Sequence, residues 1–206
     1  MTLRRALIAC EFSGTVRDAF SAIGHDAWSC DLLPSESEGN HLQCDVRDVL
    51  NQNWDLLIAF PPCTHLCISG ARWFKNKVRE QAEALDFVRL LLDAPIHRIA
   101  LENPVGIIST RICPPTQVIQ PWMFGHGEQK ATCLWLQNLP PLMPTHVDDD
   151  LFHPRTPPER EQRIWKLPPS PNRWKERSRT FSGIANAMAN QWSQHLVSSP
   201  SFKQQF

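Results

Sequence analysis

The stretch Asp55-Leu56-Leu57-Ile58-Ala59-Phe60-Pro61-Pro62-Cys63 joins an unbroken apolar run to a double proline and a cysteine. Consecutive apolar residues without alternation predict a strand buried on both faces, as in a parallel sheet. The prolines cannot donate to a sheet ladder, so the strand must end there. Because ligands of open α/β sheets bind beyond the carboxyl ends of the strands, this stretch predicts Cys63 at a ligand-binding edge.

A second apolar run, Arg98-Ile99-Ala100-Leu101, ends in the same way, at Glu102-Asn103-Pro104. This predicts a thiol and a carboxyl group at one edge of the sheet, a pair suited to covalent chemistry on a ring that is also protonated. Glu102 has two interpretations: a residue that starts a turn, or a buried acid whose raised pKa suits proton donation near neutrality.

Strand and helix patterns alternate through the first two thirds of the chain, which predicts a doubly wound, mostly parallel α/β sheet of Rossmann-like type with right-handed crossovers. Residues 137–180 are rich in proline and predict a short C-terminal arm without long regular structure. We therefore expect one domain formed by residues 1–136 and 181–206, with residues 137–180 as a separate basic segment. Besides the two runs above, strands are predicted at 6–10, 27–30, 41–44 and 132–136, and helices at 16–23, 79–92 and 184–196.

Composition limits the class of protein. With 206 residues, the chain is long enough for about one domain with a substantial core. Its 21 Lys and Arg balance its 21 Asp and Glu, so any contact with nucleic acid must be local. Seven cysteines, an odd number, favour reduced thiols, and neither a long apolar run nor a signal-peptide pattern is seen. We expect a cytoplasmic protein with no membrane contact.

A small-residue turn, Glu11-Phe12-Ser13-Gly14, lies between the first predicted strand and helix, and Asp31 ends the next strand. Such a turn lets a nucleotide-type cofactor approach backbone N–H groups, and an acidic residue there accepts hydrogen bonds from ribose. An ordinary strand-to-helix connection is the alternative. Asp45 after the third strand is either a further acceptor, for an adenine amino group, or a helix N-cap.

Cys63 has three interpretations. A buried cysteine is most often inert packing. Cys63, His65 and Cys67 offer metal ligands, although their spacing matches no structural zinc site and we predict no metal. As a nucleophile, Cys63 would lie at a strand end with a helix starting nearby to favour the thiolate.

Several motifs, in order along the chain, resemble those of the S-adenosylmethionine-dependent cytosine carbon-5 methyltransferases. Phe60-Pro61-Pro62-Cys63 resembles the Pro-Cys nucleophile motif, and Glu102-Asn103-Pro104 resembles the Glu-Asn-Val motif. Gln129-Lys130-Ala131-Thr132-Cys133 resembles the Gln-x-Arg-x-Arg motif, and residues 183–187 resemble the last cofactor motif. Short relatives of this layout recur among phage-encoded proteins, so the resemblance also implies a phage or prophage source.

The resemblance implies a role for each matching residue, with DNA as substrate and S-adenosylmethionine as cofactor. The implied catalytic residues are Cys63, Glu102 and Asn103. The implied cofactor-binding residues are Glu11, Phe12, Ser13, Gly14, Asp31, Asp45, Phe60, Pro61, Asn186 and Ala187. The implied substrate-binding residues are Pro62, Thr64, Gln129 and Lys130, joined by Arg163 and Arg173 from the basic segment. The alternative interpretation of the basic segment is a solvated loop that contacts no substrate.

The chain also departs from that family. Thr64 follows the nucleophile where the family has Gln, and Ala131 and Cys133 replace two arginines. The segment 137–180 is short for a domain that reads DNA grooves. Two alternatives therefore stay open: an enzyme acting on a free pyrimidine nucleotide or nucleoside, and a non-catalytic binding module. RNA also remains a possible substrate.

Overall fold

The computed structural model describes residues 4–68, 76–146 and 161–196. Within those ranges, seven strands form one sheet and six helices flank or follow it. No helix there has both the length and the apolar composition needed to cross a lipid bilayer. The strands are β1 (Arg5–Ala9), β2 (Asp26–Asp31), β3 (His41–Gln43), β4 (Leu56–Ala59), β5 (Ile99–Pro104), β6 (Gln117–Ile119) and β7 (Thr132–Gln137). The helices are α1 (Thr15–Ala22), α2 (Val78–Leu92), α3 (Ile108–Arg111), α4 (Arg163–Lys166), α5 (Arg173–Ser178) and α6 (Ser182–Leu196).

The sheet has the strand order β3-β2-β1-β4-β5-β7-β6. The first five strands in this order are parallel, and β7 runs antiparallel to both β5 and β6. The predicted mostly parallel sheet is therefore confirmed. The chain moves outward from β1 to β3 and then returns to place β4 on the other side of β1, which makes the crevice between β1 and β4 a topological switch point.

Alternate residues of the parallel strands pack against helices on opposite faces. In β1, Ile8 joins the apolar cluster that includes α1 and α6, whereas Leu7 joins the cluster that includes α2. In β4, Ile58 and Leu57 alternate in the same way. Burial on both faces explains why these strands lack polar alternation in the sequence. The helical residues of the two clusters include Val16, Phe20, Ile184, Met188 and Trp192 on one face, and Leu85, Val88 and Leu91 on the other.

The strand β5 corrects the sequence prediction. It does not end at Leu101 but continues to Pro104, because β7 pairs with it as far as Pro104↔Thr132. A proline fits the last position of a strand, where its missing N–H group interrupts no further ladder. The short strand β6 was not predicted, and it pairs with β7 at the edge of the sheet.

Gln137 ends β7, and the rest of the described proline-rich segment, 138–146 and 161–180, contains the short helices α4 and α5, in line with the predicted lack of long regular structure. Residues 147–160 lie outside the described residues, as do 197–206 at the end of the chain.

Candidate active site

The carboxyl ends of β1, β4 and β5 open into one pocket, which we call the reactive pocket. It has a volume of about 90 Å³ and brings Cys63 and Glu102 together, as the two strand ends predict. Its lining comprises Cys10, Glu11, Phe12, Ser13, Phe60, Pro61, Pro62, Cys63, Glu102, Asn103, Pro104, Lys130, Arg177, Ser178, Arg179 and Thr180.

Backbone and amide hydrogen bonds hold the turn that carries Cys63. The N–H groups of Leu66 and Cys67 both donate to the Cys63 carbonyl at 3.0 Å. Asn103, only 1% exposed, donates from Nδ2 to the Pro61 carbonyl at 2.8 Å, which ties the end of β5 to the turn after β4. No described donor reaches its buried Oδ1. Asn103 thus acts on the site by positioning the turn.

The Cys63 thiol is half-buried, and its neighbours shift its pKa in opposite directions. Its hydrogen bond with the Cys67 thiol, together with burial and the nearby Glu102, raises the pKa of the Cys63 thiol, while Lys130 opposes that rise. The sequence predicts a helix start that favours the thiolate, but residues 64–66 form a turn, and 69–75 lie outside the described residues. In the free protein, the thiol is therefore the favoured form.

Glu102 can hold a proton. Desolvation by burial raises the pKa of its carboxyl group, whereas Lys130 and a hydrogen bond with Thr132 lower it. The direction of the shift is the one that the sequence predicts for a proton donor. A carboxyl group whose pKa is raised keeps its proton to higher pH, which favours donation to a ring nitrogen.

Lys130 links the reactive pocket to residues 173–180, which we call the strap. Its Nζ donates to the carbonyl oxygens of Arg177 at 3.0 Å and Arg179 at 3.4 Å. From the far side of the pocket, Phe12 packs against Trp174 with ring centroids 5.6 Å apart. Residues 177–180 of the strap therefore form part of the pocket lining, and two arginines, Arg177 and Arg179, are among them.

A second pocket, which we call the acidic pocket, adjoins the first and shares Cys10 and Pro62 with it. Its volume is about 230 Å³, and it carries two predicted cofactor residues, Asp31 and Asp45, at the ends of β2 and β3. Its lining is Cys10, Cys30, Asp31, Leu32, Cys44, Asp45, Val46, Arg47, Pro62 and Phe87.

The two carboxylates of the acidic pocket differ in their partners. Asp31 accepts a hydrogen bond from the Leu33 N–H at 2.9 Å, and desolvation by burial raises the pKa of its carboxyl group. Asp45 accepts from the backbone N–H of Arg47 at 3.0 Å and pairs with the Arg47 guanidinium at 2.9 Å. Asp45 therefore does cap the 3-10 turn that follows it, while also lining the pocket.

The turn after β1 is built differently from the sequence prediction. The Glu11 carboxylate accepts from the N–H groups of Val16 at 2.7 Å and Arg17 at 3.2 Å, so it satisfies the start of α1. Its burial still raises the pKa of Glu11 to about 7. Gly14 has φ 74°, and a Cβ there would collide with Ser37 and Arg17, so glycine is required by internal packing.

Several predicted residues lie outside the linings of both pockets. Thr64 is exposed on the turn, and Gln129 donates its backbone N–H to the Glu161 carbonyl. Arg163 pairs with Glu128 at 2.9 Å. The remaining four are Gly14 in the turn after β1, Arg173 at the start of α5, Asn186, which is exposed on α6, and Ala187, which is buried in the core.

Other residues reach the pockets that the sequence did not single out. Cys10 leaves β1 with φ 58° and lies between the two pockets, and burial raises the pKa of its thiol to about 12. Its position after a buried strand is the same signal that identified Cys63. Arg177 and Arg179 belong to the basic cluster seen in the sequence, but nothing local distinguishes them from Arg163 and Arg173.

Among the described residues, no group of three or more His, Cys, Asp or Glu side chains is arranged to hold a metal ion. All seven cysteines are free thiols.

Comparisons with known proteins add little to this geometry. No family model matches the chain, and no curated protein matches it. Solved structures do match, among them an E. coli protein described as a candidate DNA modification methyltransferase encoded within a prophage, with 15% identity and a TM-score of 0.46. The match covers 71% of this chain and 52% of that one, so the chain spans about half of that protein. We therefore derive function from the two pockets.

Proposed function

We propose that this protein transfers a methyl group from S-adenosylmethionine to carbon 5 of cytosine in DNA through a covalent adduct at Cys63. One observation carries the proposal: Cys63, Glu102 and Lys130 line a single pocket that opens next to a second pocket bearing Asp31 and Asp45. A nucleophile and an acid beside a site for an adenosine group are what this reaction needs.

The donor set of the acidic pocket fits an adenosine group. Asp31 lines the pocket, and its carboxylate would accept hydrogen bonds from ribose hydroxyls. Val46, Phe87 and Pro62 supply apolar surface for an adenine ring. Phe12 and Phe60, which line the adjoining pocket, would hold the methionine part, and the cofactor would supply an electrophilic methyl group on a sulfonium.

Cys63 and Glu102 make the cytosine ring reactive. Carbon 5 of cytosine is a weak nucleophile until the Cys63 sulfur adds to carbon 6, which pushes an electron pair toward ring nitrogen 3. Glu102 gives its proton to that nitrogen, so the ring becomes a neutral enamine. On transfer of the methyl group to carbon 5, the sulfonium–methyl bond would break and S-adenosylhomocysteine would leave. A base then removes the remaining proton of carbon 5, the bond between sulfur and carbon 6 breaks to restore the Cys63 thiolate, and nitrogen 3 returns its proton to Glu102.

Lys130 adjusts both groups in the same direction. Its charge lowers the pKa of Cys63 and of Glu102. The first effect favours the attacking thiolate, and the second makes Glu102 a stronger acid. A target base in a duplex must leave the stack to reach this pocket.

The covalent step can be trapped with DNA that contains 5-fluorocytosine. Fluorine at carbon 5 cannot leave as the proton does, so the adduct persists through a denaturing gel. We expect wild-type protein with S-adenosylmethionine to form this adduct and to label cytosine-containing duplex DNA from methyl-labelled cofactor. Cys63→Ala should abolish both, a loss of more than about 1,000-fold in rate.

Cys113→Ala is the matched control, because Cys113 is an exposed thiol outside both pocket linings. It should behave as wild type. An adduct that forms equally well in Cys63→Ala would contradict the proposal.

A free pyrimidine nucleotide is the second candidate substrate. The strap favours this candidate, because it leaves a reactive pocket of only about 90 Å³. Binding of a single nucleotide also needs no surface that reads a DNA groove. Methyl label on deoxycytidine monophosphate with unlabelled duplex DNA would establish this alternative. Absence of the adduct and of label on every substrate would favour a non-catalytic module.

A further inference from the structure

Glu36, in the loop between β2 and β3, contacts the border of the reactive pocket: its backbone N–H donates to the carbonyl of Phe12, a lining residue, at 2.8 Å. Its Oε2 lies 2.6 Å from Arg179 Nη2, and its Oε1 lies 3.5 Å from Lys175 Nζ. One carboxylate thus neutralises two cations of the strap. Arg179 also lines the pocket itself.

This ion-pair cluster can exchange partners. The side chains of Glu36, Lys175 and Arg179 are 29%, 35% and 44% exposed. Ion pairs that water reaches contribute little to stability, so replacing the carboxylate costs little. The strap keeps other anchors when Glu36 leaves, because Lys130 holds its carbonyl groups and Phe12 packs against Trp174.

We propose that Glu36 is an internal substitute for a phosphodiester group of DNA. When the target base enters the reactive pocket, the adjoining phosphate replaces Glu36 against Arg179 and Lys175. Arginine binds carboxylate and phosphate with the same planar fork, so one site accepts either anion. This inference rests on the proposed function, because it takes DNA as the ligand.

Position and charge both favour a phosphate of a polynucleotide. A base in the reactive pocket carries its backbone at the mouth, which is where the strap cations lie. The chain has equal numbers of acidic and basic residues, so binding depends on local cations such as these. A carboxylate that must be displaced from these cations lowers the affinity for DNA.

Fluorescence anisotropy of a labelled cytosine-containing duplex, without S-adenosylmethionine and over a range of salt, tests the exchange. Glu36→Gln should tighten binding roughly threefold to tenfold at low salt. It should also steepen the plot of log affinity against log salt by about one unit, because the wild-type carboxylate takes up a cation when DNA displaces it and glutamine does not. Arg179→Gln should weaken binding and reduce the slope by about one unit.

Glu38→Gln is the matched control, with the same change of charge two residues away on an exposed part of the same loop. Glu36→Gln should tighten DNA binding clearly more than Glu38→Gln does. The gain in affinity from Glu36→Gln should be smaller in an Arg179→Gln background. Equal effects of the two glutamate variants, or weaker binding by Glu36→Gln, would overturn the proposal. The second result would make Glu36 a mere anchor of the strap.

Two further arms separate this inference from the methyl transfer and from other anions. If no variant transfers methyl but Glu36→Gln still tightens DNA binding, the proposed function fails and the phosphate site stands. If methyl transfer occurs but Glu36→Gln leaves the affinity for DNA unchanged, the proposed function stands and the phosphate site fails. Tightening seen with deoxycytidine monophosphate or inorganic phosphate, and not with the duplex, would overturn the polynucleotide assignment.

Discussion

The reactive pocket and the acidic pocket share a wall at Cys10 and Pro62 but differ in charge. The reactive pocket combines two carboxyl groups of raised pKa, Glu11 and Glu102, with Lys130 and two strap arginines. The acidic pocket carries two carboxylates and a single cation, Arg47. One pocket therefore suits an electron-poor ring attached to phosphates, and its neighbour suits hydroxyl and amino donors.

The difference follows from the sheet. Both pockets open at the switch point near β1, but the acidic pocket takes its charges from β2 and β3, whose ends carry Asp31 and Asp45. The reactive pocket takes its charges from β5, from the segment before β7 and from the strap. Substitutions that act on rate in one pocket and on affinity in the other would establish this division.

After Cys63→Ala, the largest effect should come from Glu102→Gln in the reactive pocket. The amide keeps the shape and can hydrogen-bond to the ring, but it cannot transfer a proton, so we expect methyl transfer to fall by about 100-fold. Affinity for S-adenosylmethionine, measured by calorimetry, should stay within about twofold. Glu83→Gln, an exposed change on α2, serves as the control. A loss confined to cofactor affinity would break the division between the pockets.

An intermediate effect is expected from Asp31→Asn in the acidic pocket. Asparagine can still accept from the Leu33 N–H, but a charge-assisted acceptor for ribose is lost. We expect affinity for S-adenosylmethionine to fall by about tenfold, with the rate at saturation unchanged. Asp48→Asn, an exposed residue of the neighbouring 3-10 turn, should change neither. A lower saturating rate at unchanged affinity would contradict the assignment.

The smallest effect should come from Lys130→Gln, measured as alkylation of Cys63 by iodoacetamide. The Lys130 charge lowers the pKa of Cys63, so removing it raises that pKa and leaves less thiolate at any given pH. We expect alkylation at pH 8 to slow roughly threefold to tenfold, with the whole pH profile displaced toward higher pH. Lys166→Gln on α4 is the control. Faster alkylation would mean that Lys130 acts chiefly by holding the strap closed.

Much of the reactive pocket could be predicted from sequence, because its two principal residues follow buried strands. Continuous apolar runs ending in proline identified Cys63 and Glu102, and the alternation of strands and helices implied that both ends share an edge. Asp31 and Asp45 were found by the same reasoning. Cys10 was missed, although it also follows a buried strand, because the apolar run predicts a first strand over 6–10 that includes it, whereas β1 ends at Ala9.

The strap could not be predicted in this way. Its arginines lie in a segment without periodicity, and the partner that orients Arg179 is Glu36, 143 residues away. Glu11 shows the converse case: its position suggested a cofactor ligand, but α1 takes its carboxylate as a cap. Asn186 and Ala187 matched a motif, but the helix α6 turns them away from both pockets.

The amino-acid sequence alone determined the layered α/β fold and the placement of a thiol and an acid at one edge, since burial on two faces and proline stops are local properties that each strand carries. Only the tertiary structure decided which cations reach that edge, how Asn103 positions the cysteine turn and where the acidic pocket adjoins the reactive one. Those features depend on ion pairs and hydrogen bonds between residues far apart in the chain, and no short stretch of sequence encodes such partners.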